Sequence, residues 1–175
     1  MSSQNINYQE LQNFWKEKEK TAKHMDRDKV YEHIKKFIKN HNTCGFATGY
    51  GDYVRCTPIE YNFMDEEFWF ISEGGNKFIG LEKNKNVSLA IFDYYGDMNN
   101  SHGLQVMGKA ILYDNKSDEF KKVLAFKNIE FDVVRAAKVN LAVVRVIPTE
   151  YEMFDTDFRK EGYDVRQFVR FDDRK

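Results

Sequence analysis

The first 41 residues carry hydrophobic positions at helical spacing. Leu11, Phe14 and Trp15 keep this spacing in a stretch without a helix breaker. In a second segment, four apolar residues at i, i+4, i+7 and i+8 form one stripe: Val30, Ile34, Phe37 and Ile38. Asp26 or Asp28 could cap this segment. The pattern predicts two amphipathic helices that cover a sheet.

After residue 42 the period shortens to that of strands. Residues 43–48 form a short apolar segment with high β propensity. A turn signal follows at 49–52, and residues 53–61 return to an extended pattern, so the two segments predict a hairpin. Residues 67–72 are rich in aromatic side chains and predict a third strand.

The second half of the chain mixes strands with short helices. Residues 76–85 predict a helix with Asn76 as its N-cap, and residues 87–95 are a near-continuous apolar run, as in a strand buried on both faces. Residues 104–113 alternate, so one face of that strand is apolar and Gln105 lies on the other. The remaining elements are helices over 117–126 and 129–138 and a last strand over 141–147.

These elements sum to about six strands joined mostly by short turns, with helices outside. They predict a mainly β fold, an antiparallel sheet closed into a small barrel, because the first three strands leave no room for the helices of a parallel sheet. We expect a single domain over 1–175. Its parts are N-terminal helices over 1–41, a barrel over 42–154 and a charged, loose C-terminal arm over 155–175.

Composition excludes several classes of protein. The 27 basic and 28 acidic residues give a net charge of −1, unlike a general nucleic-acid binder. A 42% hydrophobic content with 15 Phe is too apolar for a disordered chain. Two cysteines are no disulfide framework; Cys44 and Cys56 could lie opposite each other across the hairpin as structural thiols. The N-terminus lacks a signal-peptide core, which predicts a cytoplasmic protein.

Two glycine-containing segments and the histidines match no standard site. Gly49 and Gly51 do not open a dinucleotide motif because Val54 replaces the third glycine. The glycines before Lys77 lack P-loop spacing, and Phe78 stands in place of the required Ser or Thr. The histidines show no metal-binding spacing, which predicts solvated or capping roles and no metal site: His24, His33, His41 and His102.

The turn over 72–77 is the strongest candidate for a binding site. Gly74 and Gly75 would let the backbone approach a ligand closely, and a helix N-terminus offers free N–H groups. Lys77 places a positive charge in the first turn, where the helix dipole disfavours it. This suggests a bound anion, most simply a phosphate; a solvent-facing lysine in an ordinary turn is the alternative.

Two further segments carry polar side chains on strands. Arg55 alternates with Thr57, and Pro58 follows, which indicates an edge, a bulge or a ligand-facing segment. Gln105 offers both a donor and an acceptor to the edge of a ring. Taken alone, each of these is an ordinary surface residue.

Taken in order, these segments resemble the FMN-binding split-barrel family, whose best-known member is pyridoxamine 5′-phosphate oxidase. The resemblance covers 43–154 and rests on CGFATGYGDYVRCTPIEYNF, EFWFISEGGNKFIGLEKNKNVSLAIF, GLQVMGKAILYD and LAVVRVIPTEYEMFD. No single motif is specific, but the order and spacing of the four are. The resemblance implies a six-stranded antiparallel split barrel that binds FMN.

The resemblance also implies a set of cofactor-binding residues. They are Arg55, Thr57, Pro58, Ser72, Glu73, Asn76, Lys77 and Gln105. By this resemblance, the three on the second strand would lie along the flavin and its ribityl chain.

The other five residues come from the turn and a later strand. By the resemblance, Ser72 and Glu73 would border the isoalloxazine or ribityl groups, Lys77 would bind the phosphate, and Gln105 would reach the flavin. Asn76 stands where the family usually has Arg, which would lower the phosphate affinity or leave the role to another cation.

The resemblance further implies a homodimer with the flavin at the subunit interface and an FMN-dependent oxidoreductase activity on a small molecule or NAD(P)H. The true oxidase has a C-terminal Arg-x-His segment, and the haem-degrading branch uses a late His; here no His follows His102. Both of those activities are therefore disfavoured. The alternatives are a non-catalytic flavin-binding or sensor protein, the same fold with deazaflavin or haem, and an interaction module without a cofactor.

Overall fold

The structure is a computed structural model that describes residues 6–93, 97, 99–136 and 139–171. Its strands are β1 (Thr43–Tyr50), β2 (Tyr53–Glu60), β3 (Asn62–Met64), β4 (Glu67–Ser72), β5 (Asn86–Phe92), β6 (His102–Asp114), β7 (Ala142–Asp155) and β8 (Arg166–Arg170). Its helices are α1 (Tyr8–Glu19), α2 (Arg27–Lys39), α3 (Lys77–Lys83), α4 (Asp118–Phe126), α5 (Phe131–Ala136) and a 3₁₀ helix (Thr156–Glu161). Among the described residues, no helix is both long and apolar enough to span a lipid bilayer.

The strands form one antiparallel sheet in the order β2-β1-β5-β6-β7-β4-β3, with β8 paired to β7. The two outermost strands of this order, β2 and β3, follow each other in the chain with only Tyr61 between them. The Tyr61 N–H donates to the Asn42 carbonyl at 2.8 Å. The sheet therefore curls until its edges meet, which confirms the antiparallel β class. The expected six strands omitted the short β3 and the C-terminal β8.

The interior of the sheet is packed with aromatic rings, and α2 lies against it. The rings of Phe46 and Phe70 stack with centroids 4.8 Å apart, and Tyr61 meets Phe68 edge-on. The predicted stripe of α2 is buried, and the Asp26 side chain caps the helix by accepting from two backbone N–H groups. Both predictions for α2 are confirmed.

The expectation that α1 covers the sheet is wrong. None of its residues is buried, and Leu11 and Phe14 are exposed. Its ring contact to the sheet is made by Trp15, whose ring lies 4.5 Å from the Arg166 guanidinium. Leu11 and Phe14 of the apolar stripe are therefore left uncovered by the described residues.

β5 is buried on one face, and the expectation of burial on both faces is wrong. Val87, Leu89 and Ile91 are buried, whereas Phe92 is exposed. Residues 94 and 95 of the predicted strand lie outside the described residues. The sequence of β5 is almost continuously apolar because Ala90 and Phe92, on the outer face, are apolar as well.

The expectation of a loose arm after residue 154 is also wrong. β8 pairs with β7, and both Gln167 and Val169 are buried. The Gln167 amide oxygen accepts from the Met25 backbone N–H at 3.0 Å, which ties the C-terminal segment to the N-terminal one. The charges that suggested an arm lie on the opposite face of the strand, where Arg170 pairs with Glu150 at 3.1 Å.

The cysteines do not face each other across the hairpin. Cys44 lies opposite Ile59, and Cys56 lies opposite Ala47. Cys44 points into the core, where burial and the nearby Cys56 raise the pKa of its thiol to about 12. A thiol this hard to deprotonate is inert, which agrees with a structural role.

Candidate functional site

β2 presents its candidate residues on two opposite faces. Arg55 lies opposite Thr48, and Thr57 lies opposite the buried Phe46, so both are on the inward face of the sheet. Pro58 is exposed on the other face because side chains alternate along a strand. β2 is an edge strand, which tolerates the missing N–H of a proline.

The turn between β4 and α3 folds around Lys77. Gly74 and Gly75 have φ angles of 114° and 96°, a region that disfavours side chains with a Cβ. The Ser72 hydroxyl lies 3.2 Å from the Gly74 backbone N–H, and the Lys77 ammonium donates to the Gly74 carbonyl. The two glycines therefore bring the backbone back over the lysine side chain.

A hydrogen bond links this turn to β2. The Tyr53 hydroxyl donates to the Asn76 carbonyl at 2.8 Å. Asn76 occupies the N-cap position of α3, as predicted, but its side chain makes no capping hydrogen bond. The helix is also shorter than the predicted 76–85, since it ends at Lys83.

α3 packs closely against the end of β1, and Gly80 is the residue of the helix at the point of contact. A Cβ on Gly80 would stand 2.9 Å from the Gly49 backbone nitrogen and 3.2 Å from the Thr48 hydroxyl. The Asn84 amide donates to the Gly49 carbonyl at 2.9 Å and holds the other end of the helix there. This close approach sets the position of Lys77 relative to β2.

We expect Gly80→Ala to lower the free energy of unfolding by about 1–3 kcal/mol, the range for overpacking, although alanine is the better helix former. The added methyl group meets backbone atoms that cannot turn away. Urea denaturation followed by circular dichroism measures the change. Ile79→Ala, on the exposed side of the same helix, is the control with a smaller effect. A Gly80→Ala protein as stable as the parent would contradict the close approach of α3.

Two positive charges, Lys77 and Arg55, meet at this turn without a carboxylate paired to either. Lys77 is only 7% exposed. Its burial and the positive charge of Arg55 lower the pKa of the Lys77 ammonium. Within the described part of the chain, neither Lys77 nor Arg55 forms an ion pair, and the exposed Glu73 forms none either. The positive charges of Lys77 and Arg55 therefore stand close together without a counter-charge from a described side chain.

Two buried hydroxyls beside these cations also lack partners. Thr48 Oγ1 and Thr57 Oγ1 are inaccessible to solvent and make no hydrogen bond to any described residue. Buried polar atoms are nearly always paired in native proteins. The pair of hydroxyls and the pair of cations therefore fit a ligand that carries both hydrogen-bonding groups and negative charge. Thr48 was not among the residues predicted from the sequence.

Gln105 lies away from this turn within one chain. It is exposed on the outer face of β6, opposite Ala90 on β5. Ala90 in turn lies opposite Gly45, and Gly45 opposite Pro58. Three strand spacings of about 4.8 Å separate Gln105 from Pro58, or roughly 14 Å. The structure thus brings Lys77 close to Arg55 and puts Thr57 on the same face of β2 as Arg55, but leaves Pro58 and Gln105 on the other face.

The model of the family described as pyridoxamine 5′-phosphate oxidase matches residues 30–154, more than half of the chain. The chain belongs to this family. No curated protein matches the sequence. The matched residues begin within α2 and run through β1 to all but the last residue of β7, so they include the whole of the cationic turn.

Solved structures share the split-barrel fold at low sequence identity. ChuZ of Campylobacter jejuni has a TM-score of 0.63 at 12% identity, over 83% of this chain and 61% of ChuZ. A FAD-binding protein of Mesorhizobium loti has a TM-score of 0.53 at 14% identity, over 69% of this chain and 89% of its own. HutZ, the haem storage protein of Vibrio cholerae, has a TM-score of 0.55 at 16% identity, over 67% and 88%. These similarities confirm the fold. The names of two of these proteins refer to different cofactors, FAD and haem.

Proposed function

We propose that this protein binds FMN and acts as a flavin-dependent oxidoreductase. The observation that carries the proposal is the buried Lys77 beside Arg55, with no carboxylate partner for either among the described residues. A desolvated cation without a counter-charge is costly, and a second cation nearby raises that cost. A phosphate group would relieve both, because it offers up to two negative charges and several acceptor oxygens.

The hydroxyls support a flavin mononucleotide over a bare phosphate. Thr48 Oγ1 and Thr57 Oγ1 stand unpaired on the inward face of β1 and β2. A hydroxyl both donates and accepts, and the ribityl hydroxyls of FMN would meet the same requirement. In this proposal Lys77 and Arg55 hold the phosphate, while the two threonines position the ribityl chain.

Bound flavin supplies hydride-transfer chemistry, and the protein supplies binding and orientation. The turn of 72–77 would fix the phosphate end, since Ser72 and Gly74 already hold each other at 3.2 Å. The substrate and the electron donor stay open. A non-catalytic flavin-binding protein would use the same residues.

A second copy of the chain would complete the site. Exposed apolar side chains share the outer face with Gln105, among them Val54 at 83% exposure, Met107 and Ile111. A monomer rarely leaves such a patch in water. In the proposed homodimer this face is covered, and Gln105 of one protomer reaches the flavin held by Lys77 of its partner.

The absorption spectrum of the purified protein tests the cofactor, followed by the mass of whatever heat or acid releases. We expect flavin bands, the mass of FMN, one FMN per chain and the light-scattering mass of a dimer. Turnover of NADH or NADPH under air would then separate an oxidoreductase from a passive flavin carrier. A haem spectrum, or a protein still colourless after addition of FMN and desalting, would overturn the proposal.

A further inference from the structure

The segment that joins β6 to β7 forms a cleft with α4 and α5 in its walls. The cleft has a volume of about 330 Å³, within the range of small-molecule sites, which is about 300–1,000 Å³. It opens beside the last residue of β6, Asp114, which lies opposite Ala142 on β7. Ala142 in turn lies opposite Ser72 on β4. Two strand spacings, or roughly 10 Å, therefore separate this end of β6 from the start of the turn of 72–77.

The apolar part of the lining is already packed in place. It consists of Phe120, Phe131, Val134 and Val139. Phe120 is fully buried in a second hydrophobic cluster outside the barrel core, and its ring meets that of Phe131 edge-on with centroids 6.3 Å apart. Val139 is 39% exposed, so apolar surface in the cleft stays open to water. Covering that surface favours the binding of an apolar group.

The polar part of the lining offers hydrogen-bond donors and positive charge. It consists of Asn115, Lys116, Arg135 and Asn140, and no described carboxylate lines the cleft. Lys116 forms no ion pair within the part of the chain that the structure describes. Arg135 pairs with Asp132 at 3.4 Å, but both side chains are exposed, so this pair is weak. The lining therefore complements a ligand with one apolar part and one negative group.

We propose that this cleft binds a small monocarboxylic acid with an apolar chain or ring. The apolar lining covers the chain, while Lys116 and Arg135 attract the carboxylate. A volume of about 330 Å³ holds on the order of ten non-hydrogen atoms at about 30 Å³ each, which is the size of octanoate. A second carboxylate on the ligand would be buried against phenylalanine rings at a high cost. The proposal goes beyond the flavin site, since no residue of β2 or of the turn of 72–77 lines the cleft.

The test is isothermal titration of the purified protein with sodium octanoate at low ionic strength, in the presence and in the absence of FMN. We expect one octanoate per chain under both conditions. The affinity should fall about fourfold for each methylene removed between octanoate and hexanoate, because each buried methylene contributes a similar amount. 1-Octanol and octylamine have the same chain without the negative charge, and we expect both to bind more weakly than octanoate.

Two variants locate the binding. Lys116→Ala should weaken octanoate binding roughly two- to fivefold, as expected for a solvent-exposed ion pair. Val139→Asp should weaken it at least tenfold, because it removes an apolar contact and repels the carboxylate. Both positions are exposed, so the variants keep the fold, which circular dichroism verifies. Lys121→Ala is the matched control with unchanged binding, since Lys121 lies on α4 outside the cleft and pairs with Asp118 at 2.8 Å.

An absence of octanoate binding would overturn the proposal, as would equal affinities for octanoate, octanol and octylamine. Unchanged binding in Val139→Asp would also overturn it, because octanoate would then bind elsewhere on the chain. Lys77→Ala should lose flavin affinity and keep octanoate affinity, because Lys77 does not line the cleft. A protein that binds octanoate but no FMN would overturn the flavin proposal alone. The two proposals can therefore fail separately.

Discussion

Replacing Phe46 by alanine is expected to lower the free energy of unfolding by about 3–5 kcal/mol. Phe46 is fully buried on β1 and stacks on Phe70 with centroids 4.8 Å apart and planes 8° apart. It also lies opposite Thr57 and Leu89 on the neighbouring strands. Truncation removes apolar contacts on three strands at once and leaves a cavity that a closed sheet cannot collapse to fill.

Guanidinium denaturation followed by circular dichroism measures this loss. Val133→Ala is the control, because Val133 is on α5 and 65% exposed; it should change the free energy of unfolding by less than about 0.5 kcal/mol. A loss below about 1 kcal/mol for Phe46→Ala would show that the ring stack is not part of the core.

The parts of the fold that the sequence predicts well are those buried on one side. The stripe of α2 and the alternation of β6 both survive in the structure, because one-sided burial imposes a period that the residues must follow. Short turns between the first strands then leave an antiparallel sheet as the simplest arrangement. The class of the fold follows from these elements alone.

The C-terminal strand was not predictable in the same way. β8 has five residues, of which Arg166 and Arg170 carry charges while Gln167 and Val169 are buried. So short a segment has no clear period, and its pairing depends on β7 continuing to Asp155, well past its predicted end at 147. The two arginines suggested a solvent-exposed segment, although in the structure they pair with Glu152 and Glu150 on β7.

The candidate site was predictable in its residue types but not in its burial. The sequence order of Arg55, Lys77 and Gln105 allowed them to be proposed as site residues. The burial of the Lys77 side chain could not be predicted, because it depends on how the turn of 72–77 folds. Thr48 was missed, although it shares the alternation of Cys44 and Phe46 and so had to face inward.

We expect Lys77→Ala to weaken FMN binding by about 1–3 kcal/mol, which is roughly five- to 150-fold in the dissociation constant. The substitution removes the buried cation proposed to hold the phosphate. Quenching of flavin fluorescence on titration measures the constant. Lys83→Ala is the matched control, since Lys83 ends the same helix and pairs with the exposed Glu82 at 3.2 Å. An unchanged dissociation constant for Lys77→Ala would remove Lys77 from the site.

The same substitution should affect stability with the opposite sign. Burial and the charge of Arg55 lower the pKa of Lys77, so near neutral pH the charged lysine opposes folding. The free Lys77→Ala protein should therefore unfold at the same or a higher temperature than the parent, and stability should depend less on pH in the range where the parent lysine titrates. If Lys77 had a purely structural role, Lys77→Ala would lower the stability of the protein and leave its flavin affinity unchanged. Weaker FMN binding without loss of stability is the expected signature of a residue retained for its ligand.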